Sequence, residues 1–265
     1  DAWMFFAIFG ILGASLATLH AVSGVIGADL VLRQAIWGVL GLVLMVLLSR
    51  PHPALYARLA PVVYGTTLAA LAAVLLFGQV RSGTRGWFAL GPLTLQPSEF
   101  GRVGVAMLAA AYLGRRSTTE RLGLRDVAVI FAVVGAAAAL VLAEPDLGVA
   151  LTYGPLLLAA LWLGGLSPRT WVMILLVAAA GAATAWQVGL KPYQKERIVT
   201  VFDPDRDPYG AGYQVRQSRI AVGAGGALGQ GLGRGTQSLL RFLPAQHTDF
   251  AFAAWAEATG FLGSS

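Results

Sequence analysis

Long apolar runs that are almost free of charged residues dominate this sequence. A helix crosses a bilayer core with about 20 apolar residues, and several of the runs approach that length. Hydrophobic residues make up 57% of the chain and charged residues 12%, whereas soluble domains carry roughly twice that share of charge. We therefore predict an all-α polytopic membrane protein. The predicted spans are residues 2–22, 33–49, 55–77, 97–114, 127–143, 147–164, 169–187 and 249–263.

The runs are continuously apolar rather than alternating, which favours a helical bundle over a membrane barrel. The last run is too short to cross a bilayer, so we expect about seven full spans and the start of an eighth. We treat residues 1–265 as a single transmembrane domain that is truncated at its C-terminus. The acidic Asp1 and the length of the first run argue against a cleaved signal peptide. The sequence has no cysteine, which excludes disulfides and thiolate metal sites.

The placement of arginine predicts the orientation of the spans, because short cytoplasmic loops are enriched in Lys and Arg. The predicted loops 50–54, 115–126 and 165–169 carry Arg50, Arg115, Arg116, Arg121, Arg125 and Arg169. The opposite short loops carry a mixture of acids and bases. We therefore expect residues 23–32, 78–96, 144–146 and 188–248 to lie on the outer side.

The outer segment 188–248 is polar, basic and rich in glycine, and it is far longer than a connection requires. Long loops of this kind are usually functional or disordered. Apolar residues recur along it, which a disordered tract normally lacks; they are Ile198, Val199, Val201, Phe202, Ile220, Val222, Leu239, Leu240 and Phe242. We expect a long extracytoplasmic loop folded against the membrane, with residues 213–222 forming a short interfacial helix.

The sequence Gln96-Pro97-Ser98-Glu99 opens one of the spans. Proline suits the first turn of a helix, where its missing N–H is not needed. Glu99 and Arg102 lie three residues apart on one helical face and are predicted to pair. The pair either orients the helix at the membrane boundary or belongs to a functional cavity. Trp87, shortly before it, is either an interfacial anchor or a substrate contact.

Two acids, Glu144 and Asp146, stand in the turn between two apolar spans. Both could simply be solvated. Asp146 is well placed to cap the N-terminus of the following helix, which is the local interpretation. The alternative is that the acids contribute to a polar cavity.

His247, Thr248 and Asp249 stand together at the start of the last apolar run. Local reasoning alone favours Asp249 as a helix N-cap. No second histidine or acid follows His247 at helical spacing, and His20 and His52 lie near span ends on opposite sides. We therefore predict no histidine metal site.

Several motifs occur in a fixed order along nearly the whole chain. They are QPSE at 96–99, PDLG at 145–148, YQKERI at 193–198, GYQ at 212–214, QS at 217–218, GAGGALGQGLGRGTQ at 223–237 and LPAQHTDFAFA at 243–253. Together they resemble the SEDS family, the RodA and FtsW polymerases of bacterial elongation and division. Within that family the chain resembles the elongation members, RodA, more than the division members.

The resemblance implies a SEDS-type bundle of ten transmembrane helices in the bacterial cytoplasmic (inner) membrane. It implies a peptidoglycan glycosyltransferase that polymerises lipid II at the outer face of that membrane during cell elongation. By position, Asp249 matches the family's essential aspartate, and Trp87 matches a functional tryptophan of the first large outer loop. Glu99 and Arg102 match a charged pair beside the central cavity, and Asp146 matches an acid near the same cavity.

The resemblance also implies partners. They are lipid II, the polyprenyl-pyrophosphate-linked glycan, membrane lipid and a class B penicillin-binding protein, with no nucleic acid.

The chain departs from the family pattern at a few positions. Arg102 replaces the usual lysine, which keeps the charge but changes the donor geometry. Ala245 and Ala251 replace residues of the usual motif, and Glu257-Ala258 keeps only the first of two acids. We therefore assign no catalytic role to this segment beyond Asp249.

Glycan polymerisation requires a base for the attacking hydroxyl and positive charge for the leaving pyrophosphate. Asp249 is the predicted base. The cations are expected from Arg81, Arg85, Lys195, Arg197, Arg216 or Arg219, with or without a divalent cation (Mg²⁺ or Mn²⁺) as cofactor. Two other functions stay open at this point: a lipid II flippase, which would share the polar cavity and lipid groove, and a non-catalytic scaffold.

Overall fold

The computed structural model describes residues 2–26, 29–81, 84–91, 93–116, 121–203, 205, 210–243 and 245–265. Asp1 and parts of the predicted loops 115–126 and 188–248 lie outside these residues. So do the side chains of Arg81 and Arg197. The chain forms two compact units, one of residues 50–181 and one of residues 1–49 together with 182–265.

The unit of residues 50–181 is a helical bundle with a small sheet. Its elements are α3 (Pro53–Phe77), β1 (Gln79–Arg81), β2 (Thr84–Leu90), β3 (Leu93–Leu95), α4 (Pro97–Leu113), α5 (Leu124–Ala143), α6 (Leu147–Leu151), α7 (Tyr153–Leu163) and most of α8 (Pro168–Thr184). Prolines at the first turns of α3 and α4 mark where the helices begin.

Buried aliphatic side chains from the middle of each long helix form the core of this unit. Leu71 of α3, Val105 of α4, Ile130 of α5 and Leu161 of α7 are all buried. Helices α3 and α4 approach closely, because a Cβ atom on Gly104 would lie 2.6 Å from the Thr67 Oγ1. Small residues permit such close contacts between helices in membranes, where apolar burial alone gives little driving force.

The three strands form an antiparallel sheet in the order β1-β2-β3. Gln79 is paired with Trp87, and Phe88 is paired with Leu95. The prediction of an all-α chain is therefore wrong for the region between α3 and α4. The missed signal was a pair of typical turn dipeptides, Ser-Gly at 82–83 and Gly-Pro at 91–92, set between short apolar stretches.

The other unit begins with α1 (Ala2–Ile26) and α2 (Asp29–Ser49) and resumes at the end of α8. A π-helical turn (Ala185–Gly189) follows α8, and then come α9 (Pro192–Phe202), α10 (Ala211–Gly225), α11 (Thr236–Leu239) and α12 (Ala251–Ser264). The predicted interfacial helix at 213–222 is thus confirmed as a helix, within the longer α10. A small buried apolar cluster holds this unit together; it consists of Ala221, Leu243, Ala253 and Ala254.

Within the described residues, five helices are long and apolar enough to cross a membrane. They are Trp3–Ala21, Asp29–Ser49, Pro53–Phe77, Leu124–Ala143 and Pro168–Gly189. The predicted spans 97–114 and 147–164 correspond to the shorter α4 and to α6 with α7. The prediction of a helical, multi-pass membrane protein is confirmed, while the count of seven full spans stays a prediction.

Candidate functional site

Asp249 lies in the turn that leads into α12. The N–H groups of Thr248 and Phe250 both donate to the carbonyl of Ala245, at 3.0 and 3.2 Å, and close the turn around it. The Asp249 side chain is exposed. It makes no hydrogen bond or ion pair with the other described residues, so its carboxylate oxygens are available to a substrate.

The helix-cap interpretation of Asp249 is wrong. The N-cap of α12 is Phe250, one residue later, and no side chain caps the helix there. The sequence pattern misplaced the start of the helix by two residues, which is within the usual uncertainty of predicted boundaries. Asp249 therefore does not serve as the cap of α12.

Phe250 and Leu243 anchor the turn from both sides. Leu243 is buried together with Ala253 and Ala254 of α12, and Phe250 packs against this cluster. The carboxylate of Asp249 is therefore presented from a backbone that is held by apolar packing and by two hydrogen bonds. Functional groups need this kind of support, because loosely held side chains rarely keep a productive geometry.

Glu257 is fully buried in the middle of α12. Its Oε1 accepts from the Gln237 N–H at 2.8 Å, and its Oε2 accepts from the Ser238 N–H at 3.1 Å and from the Ser238 hydroxyl at 2.6 Å. A buried carboxylate is costly unless it is hydrogen-bonded, and here both oxygens have partners. Sequence reasoning gave Glu257 no role, although a lone acid inside an apolar run was a signal.

Helix α12 is broken near its end, at Gly260, where φ is 69°. The break leaves backbone groups without partners in the helix, and the glycine-rich segment (residues 223–237) supplies partners for four of them. The N–H groups of Gln230 and Gly231 donate to the carbonyls of Glu257 and Ala258 at 3.0 and 2.9 Å. The N–H groups of Phe261 and Leu262 donate to the carbonyls of residues 226 and 227 at 2.8 and 3.1 Å.

Glycine is required in this segment because the two backbones nearly touch. A Cβ atom on Gly229 would lie 2.2 Å from the Ala258 carbonyl oxygen, and one on Gly235 would lie 2.4 Å from the Glu257 Oε2. Such distances are far below van der Waals contact. The described residues of the glycine-rich segment are therefore packed against α12, while the outer position of segment 188–248 against the membrane stays a prediction.

Trp87 lies on β2 of the other unit, where it is half-buried. Gly86, beside it, is buried and faces Glu144. The tryptophan is thus fixed on a strand, and a strand is a more rigid support than an irregular loop.

The predicted ion pair between Glu99 and Arg102 forms on the first turns of α4. The Arg102 guanidinium also donates to the Thr152 hydroxyl at 3.3 Å, at the junction of α6 and α7. The side chain of Arg102 is 31% exposed and that of Glu99 is 54% exposed. Arginine can bridge two partners in this way because its guanidinium presents several donors in a fixed fork.

Asp146 caps α6, as predicted, by accepting from the Val149 N–H at 3.0 Å. Of the two alternatives for Glu144, solvation is wrong, because the side chain is fully buried in the turn between α5 and α6. Neither of its carboxylate oxygens has a hydrogen-bond partner among the described residues. Burial, with a smaller contribution from the charge of Asp146, raises the pKa of Glu144 to about 7.

The basic candidates differ in their surroundings. Arg85 is exposed and donates to the Leu75 carbonyl at 3.4 Å. Lys195 is half-buried and donates to the Gln187 carbonyl at 3.4 Å. Arg216 forms an ion pair with Asp205, which offsets its charge and makes it a weaker candidate for binding an anion.

The predicted site residues fall in both units. Asp249, Lys195 and Arg197 belong to the unit of residues 1–49 and 182–265, and the others belong to the unit of residues 50–181. These are Trp87, Glu99, Arg102, Asp146, Arg81 and Arg85. The structure therefore defines the contacts of the Glu99–Arg102 pair in one unit and of the Asp249 turn in the other. That all nine residues act in one site stays a prediction.

An apolar groove of about 420 Å³ runs along the unit of residues 50–181. Its walls are almost purely apolar and come from α5, α7 and α8; they include Val127, Phe131, Leu157, Met173 and Val177. Among the described residues, no three His, Cys, Asp or Glu side chains lie close enough together to hold a metal ion.

A family model described as a cell cycle protein, covering FtsW, RodA and SpoVE, matches residues 1–265. The chain belongs to this family. It is 36% identical over 222 residues to the peptidoglycan glycosyltransferase MrdB of Escherichia coli (strain K12), across 84% of this chain and 60% of the relative. It is 39% identical over 213 residues to the probable peptidoglycan glycosyltransferase FtsW of Nitrosococcus halophilus, across 80% of this chain and 54% of the relative.

Solved structures with a similar fold are named for the same group of proteins. A structure of a peptidoglycan synthase complex that coordinates polymerization and crosslinking aligns with a TM-score of 0.78 and 31% identity, over 99% of this chain and 72% of that one. The rod shape determining protein RodA of Thermus thermophilus aligns with a TM-score of 0.65 and 25% identity, over 99% of this chain and 68% of that one. The chain spans about 60% of the length of MrdB and 54% of that of the FtsW relative.

Proposed function

We propose that this protein is a peptidoglycan glycosyltransferase that polymerises lipid II at the outer face of the bacterial cytoplasmic membrane during cell elongation. The observation that carries the proposal is Asp249, an exposed carboxylate on an anchored turn with no capping role. The relatives named as peptidoglycan glycosyltransferases support it, because they align over most of this chain.

In the proposed reaction, the C4 hydroxyl of one sugar attacks the anomeric carbon of another. A bond forms between that oxygen and that carbon, and the bond from the carbon to the pyrophosphate oxygen breaks. Asp249 accepts the hydroxyl proton, and the pyrophosphate leaves on its polyprenyl carrier.

Positive charge stabilises the leaving pyrophosphate. Arg85 and Lys195 are two candidates for this role, and each donates to a backbone carbonyl. Arg81 and Arg197 remain candidates by their positions in the sequence. Trp87, Glu99, Arg102 and Asp146 are proposed to contact substrate or to line its cavity. The apolar groove between α5, α7 and α8 has a surface suited to a polyprenyl tail.

A divalent cation, Mg²⁺ or Mn²⁺, would supply further positive charge at the pyrophosphate. The described carboxylates do not by themselves form a three-ligand site for it, and no step of the proposed reaction is assigned to the ion. We also propose a class B penicillin-binding protein as the partner, in line with the structural likeness to a complex of polymerization and crosslinking.

A lipid II flippase is the weaker alternative. Transporters often expose the ends of broken helices to a substrate cavity, and α12 is broken at Gly260. Here, however, four backbone groups freed by the break are hydrogen-bonded to the glycine-rich segment. The names of the relatives also favour the enzyme.

The test is the variant Asp249→Asn of the full-length protein, assayed for polymerisation of purified lipid II. Asparagine keeps the shape but cannot accept the proton, so we expect polymer formation to fall by at least about 100-fold. Asp203→Asn is the matched control, because Asp203 is another exposed acid of the same predicted outer segment, and it should stay active. Normal polymer from Asp249→Asn would refute the base assignment. A liposome assay that follows translocation separately from polymerisation distinguishes the flippase.

A further inference from the structure

We infer that Glu257 is a positioning residue, which holds the glycine-rich segment against α12 and thereby fixes the place of Asp249. The inference rests on the proposed function for its catalytic meaning, and its structural part stands on contacts within one unit. It assigns a role to an acid of α12 that lies eight residues after the proposed base.

The first step is the contact between Glu257 and the chain around α11. Two backbone N–H groups and one hydroxyl, from Gln237 and Ser238, converge on its carboxylate at 2.6 to 3.1 Å. All three partners donate, so they match an ionised carboxylate, which has acceptors only. Hydrogen bonds to an ionised group are about twice as strong as neutral ones.

The second step leads from this contact to the turn of Asp249. The carbonyl of Gln237 accepts from the N–H groups of Phe242 and Leu243 at 3.1 and 3.2 Å. Leu243 is buried in the apolar cluster against which Phe250 packs. The Gln237 carbonyl and the Ser238 N–H belong to the same peptide group, and that N–H donates to Glu257. This one peptide group therefore connects the carboxylate to the residues that anchor the Asp249 turn.

The third step is that neighbouring residues pack closely around this carboxylate. Gly235 has no room for a Cβ atom, because Glu257 Oε2 would lie 2.4 Å from it. Ser238 is itself buried. A small cavity of about 10 Å³, lined by Thr18 of α1 among others, borders the same carboxylate. The segment thus encloses Glu257 from several sides, and loss of its charge would leave three donors, two of them buried, facing a poorer acceptor.

The test uses the full-length protein with three variants. Glu257→Gln keeps the shape but turns an amide N–H₂ toward donors. Ser238→Ala removes one of the three hydrogen bonds. Thr259→Val is the matched control, because it removes a hydrogen bond of similar length on the same helix, from Thr259 Oγ1 to the Trp255 carbonyl at 2.8 Å, and this bond lies within α12 rather than between α12 and the glycine-rich segment.

We expect Glu257→Gln to lower kcat for lipid II polymerisation by about 10- to 100-fold per folded molecule, with KM within about threefold of wild type. A base that is displaced by an ångström costs turnover rather than ground-state binding. Ser238→Ala should lower kcat by a smaller factor. The double variant should lose less than the product of the two single effects, because both act on one contact. Thr259→Val should keep its turnover.

Hydrogen exchange gives a readout that does not depend on activity. The amides of Thr248 and Phe250 should exchange faster in Glu257→Gln than in wild type, and Thr259→Val should leave them unchanged. Unchanged exchange in Glu257→Gln would overturn the inference, and so would wild-type turnover per folded molecule in an active enzyme. If wild type itself forms no polymer, the proposed function fails, while the exchange experiment still decides whether Glu257 positions the turn.

Discussion

Replacement of Glu144 by glutamine should change how the stability of this protein depends on pH. Glu144 is fully buried outside the helices, in the turn between α5 and α6, and neither of its oxygens has a partner among the described residues. Gly86 lies against it, since a Cβ atom there would be 2.8 Å from the Glu144 Oε2. Burial and the charge of Asp146 raise its pKa from 4.5 to about 7. The folded protein therefore holds a proton on Glu144 that the unfolded chain releases at lower pH.

The direction of the effect follows from proton linkage. Between pH 4.5 and about 7 the folded state binds more protons than the unfolded state, so the free energy of unfolding falls as the pH rises. The contribution of Glu144 is favourable below pH 4.5, is lost progressively through about pH 7 and is constant above that. The full difference between the two pKa values corresponds to at most about 3 kcal/mol. Glutamine has the same shape and no charge to lose, so it removes this dependence.

The assay is the apparent melting temperature of the full-length protein and of Glu144→Gln in detergent, from pH 4.5 to 8.5. We expect the melting temperature of wild type to fall relative to the variant as the pH rises. The gap should reach several degrees by pH 8, at about 2–4 °C per kcal/mol. Glu196→Gln, an exposed acid on α9, is the control and should follow wild type. Parallel curves for wild type and Glu144→Gln would refute the reasoning, as would a wild type that gains stability over the variant at higher pH.

Two further predictions concern packing in the unit of residues 50–181, and both are measured as changes in melting temperature. Tyr153→Phe should cost roughly 1–2 kcal/mol, because the buried hydroxyl donates to the Ser98 carbonyl at 3.0 Å; an unchanged stability would contradict this. Gly104→Ala should cost roughly 1–3 kcal/mol, because its Cβ atom would lie 2.6 Å from the Thr67 Oγ1. Gly135→Ala on α5 is the control, because nothing lies within 4 Å of its Cβ position, and it should be neutral or stabilising. Equal losses in the two glycine variants would rule out close packing of α3 and α4 as the cause.

The long apolar helices were predictable because each needs only a long apolar run and a marked beginning, whereas the polar α9 and the short α11 have no such run. Pro97 at the first turn of α4 and Asp146 at the cap of α6 follow from the sequence, since both roles depend on residues a few positions apart. The Glu99–Arg102 pair was predictable for the same reason. Local spacing contains the information for each of these features.

Other features were not predictable because they depend on distant parts of the chain. The sheet pairs strands of only three and seven residues, too short for a clear pattern of alternation. Glu144 is buried against a chain segment that includes Gly86, 58 positions away. The role of Glu257 depends on Gln237 and Ser238, about 20 residues earlier. No window along the sequence contains these pairs, so a single sequence cannot reveal them.

The glycine-rich segment illustrates how composition can point to two opposite physical states. Glycine raises the entropic cost of ordering the backbone, which favours disorder, but it also permits two backbones to meet where no side chain would fit. The second effect prevails here, since Cβ atoms on Gly225, Gly229 and Gly235 would lie 2.1 to 2.4 Å from atoms of α12. These contacts come with backbone hydrogen bonds that a longer separation would break. A segment that looks loose in the sequence is thus closely packed, and this packing accompanies the break in α12 and the burial of Glu257.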